Sequence, residues 1–329
     1  MAEIQTHPGP NAGFEGDDFL GCWNQLPNKA IFFSLLAAWI LLFNFVGSAT
    51  FAYVDTPSLF RWLWKDYTSP SDDNDDGHGV LIPFVVLALF WWKRRQLLAV
   101  PIGTWWPGLL LLAGCLLLHM VGYLIQQPKV SAVALFCGIY ALMGLAWGAA
   151  WLRASFFPFF LFAFSVPITG VGGPIAYTTF HLRLLVSRLV TIICNVLLGI
   201  DVHREGTQLF NAAHTYNYEV AAACSGLRSV IAIFALCTIF GFVTFEKPWK
   251  RGLMMVSAIP LAVVGNMLRL LSIIVAAELG GQSSGNYVHD SSIFSLLPYI
   301  PAILGILLLG HWLREKTEET TPPLTPTPA

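Results

Sequence analysis

The chain has 329 residues, of which 56% are hydrophobic and only 11% charged, against about 25% charged residues in soluble domains. That composition excludes a water-soluble globule. Lys and Arg number 18 against 19 Asp and Glu, so there is no bulk attraction for nucleic acid, and no nucleic-acid partner is expected.

Residues 1–29 are polar and show no basic stretch followed by a short apolar one, so a cleaved signal peptide is not expected. They read as a cytoplasmic tail, with the first apolar run acting as an uncleaved targeting signal. Apolar runs then recur at Ala30 to Val54, Val80 to Trp92, Trp105 to Ile125, Ser131 to Trp151, Ser155 to Thr169, Gly226 to Phe245, Gly252 to Ala277 and Leu296 to Leu313. A helix needs about 20 apolar residues to cross a bilayer, and Val80 to Trp92 and Ser155 to Thr169 are short for that. Basic residues follow the second run (Lys93, Arg94, Arg95), the fourth (Arg153), the sixth (Lys247, Lys250, Arg251) and the last (Arg314, Lys316). With a cytoplasmic N-terminus they all fall on one side, as the positive-inside bias requires.

That topology puts Asp72 to Asp76, Asp201 to Ala223 and Gly280 to Ser295 outside. The acidic run Asp72 to Gly77 imitates the start of a calcium loop, but the twelfth position is Pro83 and no bidentate Glu follows, so a solvated loop is the better reading. Gly172 to Ile200 is apolar and helix-like but carries His181, Arg183 and Arg188. Parity of crossings makes it an amphipathic helix on the outer leaflet, the alternative being a ninth span. Alternating residues with Gly206 and Asn211 suggest a short hairpin over Ile200 to Val220. Residues 314–329, rich in Thr and Pro, read as a disordered cytoplasmic tail. The expected architecture is an all-α integral membrane protein: about eight transmembrane helices over residues 30–313, an outer-leaflet amphipathic helix and a short extracytoplasmic hairpin.

Six cysteines, at 22, 115, 137, 194, 224 and 237, include no CxxC pair, and a disulfide framework is not expected. Cys115, Cys137, Cys194 and Cys237 lie in apolar runs, where cysteine is usually a small buried hydrophobe. Cys224 differs. It opens the sixth run beside Ser225, four residues ahead of Arg228, and a cation or a helix N-terminus favours the nucleophilic thiolate. Asn266 and Arg269 share a face deep in the seventh run, where polar groups are costly and mark a pathway or a site. His289 falls in the expected loop after that run. Cys224 lies 23 residues from Lys247, and Arg269 lies 18 from Arg251. At about 1.5 Å per helical residue these are roughly 34 and 27 Å, so all three side chains can meet near the outer interface. A thiolate that attacks, an imidazole that moves protons and a fixed cation that steadies an oxyanion are the parts of cysteine-dependent acyl transfer. Arg269 has a second reading as an ion-pair partner of Glu278. His119 and His311 have no partner histidine at i+4, so neither a metal nor a cofactor is expected.

The stretch Ala223-Cys224-Ser225-Gly226-Leu227-Arg228-Ser229, the Asn266 to Arg269 pair and the downstream His289 resemble the motifs of the exosortase/archaeosortase family. His78-Gly79 ahead of Lys93-Arg94-Arg95, and Val202-His203-Arg204-Glu205-Gly206, extend the resemblance over most of Asp72 to Leu313. It implies an enzyme of the cell inner membrane whose active site faces outward, with Cys224, Arg269 and His289 catalytic and Arg228, Ser225 and Asn266 in support. It further implies, as substrates, exported proteins with a C-terminal sorting signal of a short motif, a membrane helix and a basic cluster, as in PEP-CTERM proteins. Transfer to an amine, a glycan, a lipid or water would follow. The competing reading is a transporter or scaffold for envelope or exopolysaccharide assembly, which needs the charges but not the thiol.

Overall fold

The computed structural model describes residues 19–49, 54–69, 76–168, 174–219, 227–291 and 293–314. The chain divides into two compact units, residues 1–169 and 170–329.

Among its described residues the first unit holds eight α-helices: α1 (Phe19–Gln25), α2 (Lys29–Phe45), α3 (Leu59–Tyr67), α4 (Ile82–Trp92), α5 (Arg94–Leu98), α6 (Pro107–Leu124), α7 (Pro128–Trp147) and α8 (Ala149–Phe160). Helix α1 falls in the stretch expected as a polar tail and is bent 95° from α2. Without a hydrophobic force between helices in lipid, small residues let backbones approach and polar groups join them. Helix α7 does both. Gly138 lies against the Trp39 indole, where a Cβ would overlap the ring, and Trp39 Nε1 donates to the Leu135 carbonyl at 3.0 Å. On the α6 side, His119 Nδ1 meets Ser131 Oγ at 3.0 Å.

The acidic stretch departs from expectation at its end. Asp72 to Asp75 lie outside the described residues, but Asp76 is not solvated: it is 1% exposed, and its carboxylate accepts the Ile168 N–H at 2.9 Å. A backbone donor left unpaired at such a site would be costly, and the Asp76 carboxylate satisfies it. Gly79, in the 3-10 turn Gly77–Val80, leaves room for the Tyr67 ring.

The described residues of the second unit form α9 (Pro174–Ile193), continued by a π-helical turn Cys194–Leu198, then three strands, β1 (Val202–Glu205), β2 (Gln208–Asn211) and β3 (Asn217–Glu219), and the helices α10 (Leu227–Thr244), α11 (Pro248–Asp290) and α12 (Tyr299–Trp312). The expected hairpin is an antiparallel three-stranded meander, with Arg204 opposite Leu209 and Leu209 opposite Tyr218. Gly206 supplies the positive φ of the β1–β2 turn, a conformation glycine adopts without penalty. Asn211 builds the next turn, its Oδ1 accepting the Thr215 N–H at 2.9 Å.

All eight apolar runs contain helices, but their lengths differ. Among the described residues, four helices are long and apolar enough to cross a membrane: Pro107–Leu124, Pro128–Trp147, Phe180–Leu198 and Pro248–Asp290. The bent pair α1 and α2 makes a fifth, while Ile82–Trp92, Ala149–Ser165, Ser229–Thr244 and Tyr299–Trp312 are shorter apolar helices. The segment read as interfacial thus has the length and composition of a span.

Candidate active site

Helix α11 is the scaffold of the site. Its first turn ties down two neighbours: Lys250 Nζ donates to the Leu313 carbonyl at 2.7 Å, and Arg251 Nε to the Phe245 carbonyl at 2.7 Å. These carbonyls end α12 and α10, where orphan acceptors and the negative end of the dipole favour a cation. Two of the basic residues read as topology signals therefore also cap helices.

From that anchor α11 runs on past Ala277, the expected end of the seventh span, to Asp290. This corrects the reading of Gly280 to Ser295 as a loop. The helix breaks at Gly281, with φ 74° and ψ −178°, a backbone conformation essentially reserved for glycine. Beyond it Gln282 to Asp290 form a second helical segment, so His289 sits on a helix.

The break brings Arg269 and His289 together although 20 residues separate them: Arg269 Nη2 donates to the His289 carbonyl at 3.3 Å. Arg269 Nε is buried and has no hydrogen-bond partner among the described residues. Among the described residues the guanidinium is therefore engaged at Nη2 by the His289 carbonyl, and no ion pair joins it to Glu278, the partner considered from sequence. Asn266, one helical turn away, is 5% exposed. His289 Nδ1 lies 2.8 Å from Asp290 Oδ1. A carboxylate at Nδ1 selects the tautomer whose proton-accepting position is Nε2, an orienting role that the sequence offered only as an adjacent residue.

Strand β3 is fastened to the same helical segment. The Asn217 N–H donates to Gln282 Oε1 at 2.9 Å, and Gln282 Nε2 donates to the Asn217 carbonyl at 3.4 Å. Tyr218 Oη donates to the Gln282 carbonyl at 3.0 Å. Gly285 faces the Tyr218 hydroxyl so closely that a Cβ would collide with it. Burial, and then the negative charge of Asp290, push the Tyr218 phenol above its ordinary range, so it stays a neutral donor. Gln282 and Tyr218 carried no signal in the sequence. A cleft of about 430 Å³ opens at the break, lined among others by Leu279, Ser283, Ser284, Tyr287 and Phe294; its lining includes neither Arg269 nor His289.

Cys224 and Ser225 lie outside the described residues, as does the side chain of Arg228, whose backbone belongs to the first turn of α10. The register of the α10–α11 hairpin still fixes the level at which α10 begins. Gly241 packs on Met254 and Arg251. Fourteen residues back along α10 is Leu227, and fourteen forward along α11 from Arg251 and Met254 are Gly265 and Leu268. With equal rise in both helices, Leu227 stands level with Asn266. No group of three or more His, Cys, Asp or Glu that could hold a metal occurs among the described residues.

The family model described as transmembrane exosortase matches residues 64–304. No curated protein matches the chain, and no solved structure does. The match takes in the Cys224 segment, Arg269 and His289 and spans well over half of the chain, which belongs to the transmembrane exosortase family.

Proposed function

We propose that the chain is a membrane-embedded cysteine protease and transpeptidase that removes a C-terminal sorting signal from exported proteins and passes them to an envelope acceptor. The observation that carries this reading is the hydrogen bond from Arg269 to the His289 carbonyl. It joins two of the three residues selected from sequence. Cys224 is three residues from Leu227, a reach of at most about 11 Å, and Leu227 stands level with Asn266.

In the proposed reaction the Cys224 thiol gives its proton to His289, and the thiolate adds to the carbonyl carbon of the scissile peptide bond. Arg269 steadies the oxyanion. His289 returns the proton to the leaving amine as the C–N bond breaks, which leaves a thioester on Cys224. An amine, a glycan or lipid hydroxyl, or water then attacks the thioester. His289 takes the acceptor's proton and the thiol is restored. The test is intact-mass analysis of an envelope protein ending in a short motif, an apolar helix and a basic cluster, expressed with and without the enzyme. A new C-terminus upstream of the apolar helix is expected only with the enzyme; an unchanged C-terminus overturns the reading.

The proposed topology has eight crossings, both termini in the cytoplasm and the site at the outer face of the inner membrane. It keeps α9 at the outer interface despite its length. Two observations support that choice. Val186, Val190 and Cys194 on one face of α9 share a core with Leu209 and Tyr218 of the sheet, whereas Leu185, Ile192, Val196 and Leu197 are exposed. The strands run alongside α9, with Asn195 bonded to both backbone groups of Val202, and an open sheet edge is not tolerated within the hydrocarbon layer. Reporters fused after Thr169 and after Ile200 are expected on the same side of the membrane. Opposite sides would make α9 a ninth span and turn one half of the chain over.

A further inference from the structure

The segment after Gly281 is fastened to β3 by three hydrogen bonds, whereas the cleft beside it is lined by no charged side chain among the described residues. We propose that Gln282 and Tyr218 form a latch that holds the strand leading into the Cys224 segment against the helix bearing His289, and so sets the approach of thiol to imidazole. This rests on the reading of Cys224 and His289 as nucleophile and proton carrier.

The geometry is that of a strand edge completed by a side chain. The Gln282 amide pairs with both backbone groups of Asn217, at 2.9 and 3.4 Å, as a neighbouring strand would. Its Nε2 also lies 3.2 Å from Asn286 Oδ1, which fixes the amide's orientation. Tyr218, the next residue, donates to the backbone of the same glutamine at 3.0 Å, and Gly285 leaves the space that the phenol fills. The strand therefore holds both the side chain and the main chain of residue 282. That residue lies immediately after the one backbone position that breaks α11, so the latch also fixes the angle at which the segment ending in His289 leaves the span.

Chain length gives the latch its consequence. Cys224 is five residues beyond Glu219, the last residue of β3, a reach of at most about 18 Å. Three residues beyond Cys224 the chain re-enters the described residues at Leu227, the start of α10. The α10–α11 packing at Gly241 sets the level of Leu227 on α11 before the break, and β3 is placed by the latch on α11 after the break. The two chain ends that flank Cys224 therefore stand on opposite sides of the Gly281 break, so a change of angle there moves those ends relative to one another and His289 relative to Arg269. Gln282 and Tyr218 are positioning residues in this scheme, and neither touches substrate.

The experiment measures single-turnover acylation and substrate capture for Gln282→Met, Tyr218→Phe, His289→Ala and the Gln282→Met/His289→Ala double variant, with Cys224→Ser as reference. Methionine keeps the length and packing of glutamine but none of its hydrogen bonds. Gln282→Met is expected to slow acylation about tenfold, the scale of a lost orienting contact, with capture unchanged. Tyr218→Phe, which removes one hydroxyl and spares the fold, is expected to slow it severalfold. In the His289→Ala background Gln282→Met is expected to add no further loss, because the latch acts through His289. Gln282→Glu, which keeps the acceptor for the Asn217 N–H, is expected to recover part of the rate. Wild-type acylation in both Gln282→Met and Tyr218→Phe overturns the latch, and so does a full additional loss in the double variant, which would mark a merely structural role. A fully active Cys224→Ser overturns the reading of the site itself. A dead Cys224→Ser beside fully active Gln282→Met and Tyr218→Phe overturns the latch alone.

Discussion

Cys224→Ser is expected to leave the protein inserted and folded while lowering acyl transfer by at least about 10³-fold. The exchange is nearly isosteric, so assembly has no reason to fail. The chemistry does. A thiol ionises within reach of neutral pH and is a strong nucleophile, whereas a serine hydroxyl needs a base arrangement tuned for it, and losing the nucleophile removes a unit that acts together with its base. The measurement is processing of a signal-bearing envelope protein in membranes of equal enzyme content, with trapping of the thioester by hydroxylamine as the second readout. The same substitution separates enzyme from transporter or scaffold, since those roles draw on the charged residues and not on sulfur. Activity that survives the exchange would sink the cysteine mechanism whatever the fate of Arg269 and His289.

Much of this fold is legible in the sequence because the bilayer simplifies the code: a long apolar run has few alternatives to a helix. All eight apolar runs contain helices, and the turn residues Gly206 and Asn211 do mark turns of the sheet. Legibility fails where polar stretches are held by tertiary contacts. The seventh run reads as ending at Ala277, ahead of Gly280-Gly281 and a polar stretch. Yet the chain only changes direction there and resumes, because Gln282 finds Asn217 and Tyr218 across a distance of more than 60 residues. The acidic run misleads at Asp76 for a similar reason: its partner is the Ile168 N–H, 92 residues away. Helix α9 shows the limit of composition itself, since its length suits a span while the sheet packed along it suits the interface. Of the candidate site, Arg269 stands out in the sequence as a costly polar group deep in an apolar run and His289 as a loop residue, but neither the hydrogen bond that joins them nor the contact of Asp290 with the imidazole is visible there.

Arg269→Lys tests what the guanidinium is for. Its Nη2 is occupied with the His289 carbonyl at 3.3 Å, while Nε is buried and has no partner among the described residues. A planar fork held at one arm presents the others in a fixed direction, as a preorganised oxyanion donor requires. Lysine keeps a single positive charge but places it on one atom. If the ammonium holds the His289 carbonyl it has no rigid second arm for the oxyanion, and if it swings to the oxyanion it releases the segment that carries the imidazole. Charge alone therefore should not rescue function. Turnover is expected to fall by about 10²-fold, the scale of losing one oxyanion donor, while substrate capture falls much less because the ground-state carbonyl asks little of that donor. The comparison is single-turnover acylation against co-purification of substrate in the variant, with a melting curve in detergent to verify the fold. Acylation near the wild-type rate would show that charge suffices, and collapse of capture with chemistry intact would make Arg269 a docking residue.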